Sequence, residues 1–99
     1  MFISKSIFQW QSPNDMTQYS ERGKDVIHCV ERKTRLHLFV RKFKEVENIS
    51  QDYIYLGDVY TIAGTVSGEK PVTMNFALHS LPQDLYNDLI TKVDLTKID

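Results

Sequence analysis

Alternation of apolar and polar residues predicts β-strands along most of the chain. Residues 72–79 alternate strictly, which is the pattern of a half-buried strand. Their apolar members then share one buried face: Val72, Met74, Phe76 and Leu78. Residues 36–43 carry apolar side chains on both faces, which favours a central strand. Three further apolar or β-branched runs predict strands at residues 7–10, 26–30 and 53–60.

Polar and glycine-containing segments separate these predicted strands. Residues 11–24 begin with turn chemistry and continue as a polar surface loop, and the wholly polar residues 31–35 predict a hairpin connection. Gly57, inside a predicted strand, indicates a bulge or a close backbone approach. The period changes near the C-terminus, where Ser80 as N-cap, with Gln83 three residues later, precedes apolar residues at helical spacing. This segment predicts one C-terminal helix.

These elements predict a mainly β, α+β fold. A small bent antiparallel sheet or a partly open barrel, closed by the C-terminal helix, buries both faces of such strands. The length of 99 residues fits a single domain, 1–99. Cys29 is the one cysteine, so the fold needs no internal disulfide, and no segment approaches the roughly 18 apolar residues of a membrane span. We therefore expect a cytoplasmic protein with no membrane contact.

Charge is distributed unevenly along the chain. The formal net charge of −1 combines +6 in the basic segment, Arg22 to Lys44, with −7 elsewhere. Phosphate binding depends on a local cluster of cations, so the near-neutral total does not exclude nucleic acid. The cations expected on phosphates are Arg22, Lys24, Arg32, Lys33, Arg35 and Arg41. The alternatives are a solvated hairpin and, for Arg41, an ion pair with Asp52 or Asp58.

Several short motifs also follow one another in one order. They are Phe8-Gln9-Trp10-Gln11-Ser12, then Gly23, Leu38-Phe39-Val40-Arg41, Tyr55-Leu56-Gly57 and Gly68-Glu69-Lys70-Pro71. Over about residues 8–81 this ordered set resembles the uncharacterised C-terminal domain of bacterial superfamily-2 helicase proteins. Some of those proteins also carry a phospholipase-D-type nuclease and cut DNA with modified cytosines. The resemblance implies an SRA/PUA-like module that reads modified cytosine, without the helicase or nuclease motifs themselves.

Aromatic and amide side chains provide candidates for contact with a base. A flipped base needs a ring to stack on and a polar group for its edge, and Trp10, Gln11 and Ser12 supply both residue types on one turn. Tyr53 and Tyr55 share a strand face and predict a stacking platform. The structural alternatives are a core aromatic at Trp10 and an ordinary cross-strand aromatic pair at the tyrosines.

Three functions follow from these features, in order of support. The first is a non-catalytic DNA-binding module, which reads modified cytosine for a helicase or nuclease system in restriction or repair. The second is a protein-interaction module that docks on such a helicase or nuclease through sheet edges and the C-terminal helix. The third is a small metal-dependent nuclease, because Asp15, Glu31 and Lys33 follow the acid…Glu-x-Lys order of such enzymes. No cofactor is expected, since the sequence has neither zinc-ligand spacing nor a glycine-rich phosphate loop.

Overall fold

Strands carry most of the regular structure. The computed structural model describes residues 1–41, 45–50, 52–90, 93 and 95–98 of the chain. Over those residues the elements are β1 (Phe2–Ser4), β2 (Ile7–Gln11), α1 (Glu21–Ile27), β3 (Leu36–Arg41), β4 (Glu45–Val46), β5 (Ile49–Ser50), β6 (Ile54–Thr61), β7 (Thr73–Leu78), α2 (Gln83–Leu89) and β8 (Leu95–Ile98).

The main sheet has the strand order β1-β2-β7-β6-β3-β8, and every neighbouring pair is antiparallel. It curves into a half-barrel, with β1 and β8 as its edge strands. β4 and β5 form a separate antiparallel hairpin. The predicted mainly β, α+β fold with a bent antiparallel sheet is therefore confirmed.

One face of the main sheet carries the hydrophobic core. Alternate residues of β3, from Leu36 to Val40, are fully buried, as are Met74 and Phe76 of β7. The alternating pattern predicted the buried face of β7. For β3 it placed apolar residues on both faces, and the structure buries only the face with Leu36, Leu38 and Val40. Because β3 lies between β6 and β8, the prediction that it is a central strand is also confirmed. Residues 42 and 43, which the sequence assigned to the same strand, lie outside the described residues.

The predicted bulge at Gly57 is confirmed, and it determines which residues share the outer face of the sheet. Leu38 pairs with Gly57 whereas Phe39 pairs with Tyr55, so β6 carries one additional residue at this point. Gly57 has φ +99°, a conformation that L side chains rarely adopt. Residues three apart in a regular strand face opposite sides of a sheet. The additional residue instead brings Tyr55 and Asp58 to the same side, where their side chains contact each other.

The segment before β3 differs from the prediction. The strand predicted at residues 26–30 is wrong, because α1 occupies Glu21–Ile27 and a turn follows. The polar residues 31–35 accordingly connect a helix to a strand rather than two strands. Ser20 caps the helix, since its Oγ accepts the N–H of Gly23 at 3.1 Å. Val26 is fully buried, and this burial outweighs the few tenths of a kcal/mol that a β-branched residue loses in a helix.

The C-terminal helix is confirmed, but its beginning differs from the predicted one. α2 covers Gln83–Leu89 and follows Pro82 at the N-cap position, without a side-chain cap. The capping box predicted from Ser80 and Gln83 is therefore wrong. The amide of Gln83 instead donates to Oδ1 of Asn87 one turn later, at 2.7 Å. Proline is well tolerated at a helix start, where its missing N–H has no helical acceptor.

The apolar face of α2 packs inward. Leu89 is buried, and Leu85 and Tyr86 pack against the core cluster. The helix is followed by β8, which pairs with β3 and makes a strand the last element. No helix in the described part of the chain is long and apolar enough to cross a membrane.

Candidate functional site

A cleft of about 560 Å³ lies where the end of β2, the start of α1, and β8 meet. Its volume falls within the roughly 300–1,000 Å³ of small-molecule sites. Several residues that the sequence selected as candidates line this cleft: Trp10, Gln11, Ser12, Arg22 and Tyr53. The fold therefore brings together two aromatic residues, an amide, a hydroxyl and a guanidinium that are separated along the chain.

Two of these residues are held in structural contacts. Trp10 is only 6% exposed and packs against Phe76, with ring centroids 5.4 Å apart. The Oγ of Ser12 accepts the N–H of Val72 at 2.9 Å and donates to the carbonyl of Pro13 at 3.0 Å. Trp10 is thus a core aromatic that borders the cleft, and Ser12 fixes the chain where β2 ends. The sequence had left the core role of Trp10 open, but it did not indicate the structural role of Ser12.

The more accessible polar groups of the cleft belong to Gln11, Asp15 and Arg22, all of which are exposed. Gln11 is the last residue of β2. Arg22 lies in the first turn of α1 and donates from Nη2 to the carbonyl of Ile98 at 3.0 Å. This bond ties α1 to the edge strand β8. A guanidinium has five N–H donors, so several remain for an anion at the cleft.

Tyr53 connects the cleft to a row of rings on the outer face of β3 and β6. We call this row the aromatic run, and its members are Tyr53, Phe39, Tyr55 and His37. Phe39 lies 6.4 Å from Tyr53 and 5.0 Å from Tyr55, and His37 lies 5.7 Å from Tyr55, between ring centroids. The guanidinium of Arg41 lies over the Tyr53 ring, 4.3 Å from its centroid.

The sequence identified only part of the aromatic run. Tyr53 and Tyr55 do share a face, as predicted, and both contact Phe39. Phe39 was not selected as a site residue, although the alternation of β3 places it on the same face as His37 and Arg41. That shared face was the signal from which Phe39 could have been found.

A polar cluster surrounds Tyr55 at the far end of the aromatic run. The Tyr55 hydroxyl donates to Oδ1 of Asp58 at 3.2 Å, and Nδ1 of His37 lies 2.7 Å from the same hydroxyl. Arg35 forms an ion pair with Oδ2 of Asp58. The hydrogen bond from Arg35 is the main reason that the pKa of Asp58 is lowered. Partial desolvation, and then the bond to Asp58, raise the pKa of Tyr55.

The basic segment is divided between two surfaces. Arg22 lines the cleft, while Arg41 and Arg35 lie at the two ends of the aromatic run. Lys24 and Arg32 lie on a different surface, beside α1, in contact with acidic side chains. The contacts there are Lys24 with Glu21 at 3.8 Å, Arg32 with Asp25 at 2.8 Å and Arg32 with Glu21 at 3.8 Å. Lys33 is exposed in the turn after α1, and Lys42 and Lys44 lie outside the described residues.

The residues of the nuclease hypothesis occupy separate environments. Asp15 lines the cleft. Glu31 lies in the turn after α1, with Oε2 3.0 Å from Nδ1 of His28. Over the ranges that the structure describes, no group of three or more His, Cys, Asp or Glu side chains has the geometry to hold a metal ion.

Comparison with known proteins gives one match. A search of the curated proteins and a search of the solved structures find no match to this chain. A family model described as Domain of unknown function (DUF3427) matches residues 1–89. This match includes the cleft residues of β2 and α1 together with the whole aromatic run. The chain therefore belongs to the DUF3427 family.

Proposed function

We propose that this domain is a non-catalytic DNA-binding module that reads modified cytosine, with an SRA-like mode of base flipping. It would serve a cytoplasmic helicase or nuclease system in restriction or repair. The observation that carries the proposal is the composition of the cleft. Aromatic, amide and guanidinium groups converge on one cavity that is large enough for a nucleobase.

Each chemical requirement of a flipped base has a candidate group in the cleft. The Tyr53 ring is held by contacts with Arg41 and Phe39, so little side-chain freedom is lost when a base packs beside it. The exposed amide of Gln11 offers a donor and an acceptor for a base edge. Arg22 offers a cation for the flanking phosphate.

The ordered motifs within residues 8–81 support the helicase and nuclease context. They resemble the C-terminal domain of superfamily-2 helicase proteins, some of which carry a nuclease and cut DNA with modified cytosines. A separate reader domain fits such a system, because the helicase or nuclease supplies the chemistry while the reader selects the DNA. In this proposal the domain therefore binds DNA and a helicase or nuclease partner, and it needs no cofactor.

The test is a fluorescence-anisotropy titration with short duplexes that differ only at one cytosine: unmodified, 5-methyl and 5-hydroxymethyl. We expect tighter binding of at least one modified duplex, and a steep loss of affinity with salt as counterions are released. No binding to any duplex at low salt would overturn the proposal. Equal binding of all three would overturn modified-base recognition and leave electrostatic DNA binding only.

Two variants of α1 test whether the DNA contacts the cleft. Arg22→Ala and Lys24→Ala each remove one cation from the same helix, but only Arg22 lines the cleft. We expect Arg22→Ala to weaken binding about tenfold, a typical loss for one charge-assisted phosphate contact. Lys24→Ala should change affinity about threefold or less, because Lys24 already contacts Glu21. Equal losses would show that general charge, rather than the cleft, determines binding.

A further inference from the structure

The aromatic run extends the cleft along the outer face of the main sheet. Tyr53 belongs to both, since it lines the cleft and contacts Phe39. From there the rings continue through Tyr55 to His37, at centroid distances between 5.0 and 6.4 Å. A base in the cleft would therefore have further ring surfaces beside it for the neighbouring bases of the same strand.

Tyr55 is the most informative member of the run. It lies on β6, which has neighbouring strands on both sides, yet 52% of its surface is exposed. Its hydroxyl contacts both His37 and Asp58. These contacts hold the ring in one orientation while half of its surface stays accessible. A fixed and accessible ring is suited to base stacking, because little conformational entropy remains to be lost on binding.

The positive charge at the cleft end of the run fits a nucleic-acid backbone, and the charge at the other end is balanced by an ion pair. Arg41 lies over Tyr53 at the cleft end, and Arg35 lies at the other end with 75% of its side chain exposed. The carboxylate of Asp58 lies beside Tyr55, and its oxygens contact Arg35, Tyr55 and His37. These bonds offset the repulsion that its negative charge would exert on a phosphate.

We propose that the outer face of β3 and β6 binds single-stranded DNA, with consecutive bases stacked on Tyr55 and Phe39. The choice of nucleic acid as the ligand rests on the proposed function. The single-stranded form follows from the aromatic run itself, because a ring can stack on a base face only where the base is unstacked from its neighbours. A module that flips one base into the cleft creates such unstacked neighbours.

The experiment titrates labelled 12-nucleotide oligo-dT with wild-type protein and with two matched variants. Tyr55→Ala removes a ring from the aromatic run. Tyr60→Ala removes a tyrosine of similar exposure, 54%, from the same strand next to β7. We expect Tyr55→Ala to weaken binding about tenfold, the typical loss for one stacked base, and Tyr60→Ala to change it by less than threefold.

Tyr55→Phe controls for folding and for the polar cluster. It keeps the ring and loses the bonds to His37 and Asp58, so stacking predicts affinity within about threefold of the wild type. Thermal melts followed by circular dichroism establish that each variant is folded. Equal affinities for Tyr55→Ala and Tyr60→Ala, or no binding of oligo-dT by the wild type, would overturn the inference.

The two proposals fail in different ways. Tyr55→Ala should leave the ratio of affinities for modified and unmodified duplex unchanged, because that ratio depends on the cleft. Binding of oligo-dT that depends on Tyr55, without any duplex preference, would support the outer-face site and contradict modified-cytosine recognition. A preference for modified duplex, without Tyr55-dependent binding of oligo-dT, would support modified-cytosine recognition and contradict the outer-face site.

Discussion

Two surfaces of the molecule carry cations from the same stretch of sequence, and their surroundings differ. On the surface beside α1, Lys24 and Arg32 contact the carboxylates of Glu21 and Asp25. At the cleft and the aromatic run, Arg22 donates to a backbone carbonyl and Arg41 lies over a tyrosine ring. On the first surface both cations contact carboxylates. On the second, Arg22 and Arg41 contact a carbonyl and a ring, although Arg35 there also forms an ion pair, with Asp58.

The difference teaches how a charge count along the chain should be interpreted. The basic segment was bounded at Arg22, one residue after Glu21, and so excluded a carboxylate that contacts two of its cations. It also excluded Asp58, which pairs with Arg35 from 23 residues away. Exposed ion pairs contribute little to stability, but they do determine which cations remain available to a ligand. Arg22, which donates to a backbone carbonyl at the cleft, is therefore a better candidate for nucleic acid than Lys24 and Arg32.

The largest expected effect tests whether both surfaces belong to one cooperative unit. Leu38 is fully buried on β3, on the opposite face from the aromatic run. Leu38→Ala should lower the free energy of unfolding by about 3 kcal/mol, through lost burial and a residual cavity. The measurement is urea unfolding followed both by Trp10 fluorescence and by circular dichroism. Val30→Ala is the control, with an expected change within about 0.5 kcal/mol because Val30 is exposed.

The midpoints of the two probes decide the outcome. Coincident transitions, shifted together by Leu38→Ala, are expected of a single cooperative domain. Separate transitions would mean that the α1 surface and the main sheet unfold independently, and the two surfaces would then not share one rigid framework.

A smaller effect tests the bulge that shapes the outer face. Gly57→Ala places a side chain at φ +99° and should cost roughly 1–2 kcal/mol of stability. The control is Thr65→Ala, at a residue that does not line the cleft. It removes a hydroxyl that donates to the carbonyl of Ile62 and accepts a backbone N–H of β7, for a similar cost of about 1 kcal/mol. Although both variants lose similar stability, only Gly57→Ala should also weaken oligo-dT binding, because it disturbs the positions of Tyr55 and Asp58. Equal weakening would show that stability, rather than outer-face geometry, controls binding.

The alternating pattern predicted the inner strands β2, β3, β6 and β7 of the main sheet, but not its edge strands β1 and β8. Successive side chains of a strand lie on opposite faces, so apolar and polar residues alternate in residues 72–79, and the structure buries the predicted apolar face. Gly57 was informative for a similar reason, since an isolated glycine in a strand has few other uses. By contrast, Val26 and Ile27 have strand preferences, and burial within the folded chain determines that they are helical.

The candidate site was predictable in its residue types more than in its arrangement. Trp10, Gln11 and Ser12 are consecutive, so their proximity was visible in the sequence. That Arg22 and Tyr53 line the same cleft depends on how α1 and the main sheet pack. The reason for glycine at position 23 was likewise not predictable from the sequence. A Cβ there would lie 1.8 Å from the carbonyl oxygen of Thr17, a close approach that no local pattern reveals.

The smallest expected effect tests whether the two surfaces are electrostatically separate. Arg35→Gln removes the main cause of the lowered pKa of Asp58, so that pKa should rise toward its ordinary value of 3.8. The charge of Arg35 also lowers the pKa of Tyr55, so its removal should raise that pKa further. Both can be measured by carbon-detected NMR titration. Arg32→Gln is the matched control, since it removes an equal charge from the α1 surface.

The same pair of variants predicts a pH dependence of stability with a definite sign. The folded-state pKa of Asp58 lies below its unfolded value, so the ionised carboxylate stabilises the fold above that unfolded value. This contribution is lost as the pH falls through the folded-state pKa. Wild type and Arg35→Gln should therefore differ in stability near neutral pH and converge in acid.

The control variant decides between direct contact and a long-range effect. Direct contact predicts a shift of the Asp58 pKa only for Arg35→Gln. Equal shifts in Arg35→Gln and Arg32→Gln would mean that charges on either surface act on Asp58 at long range.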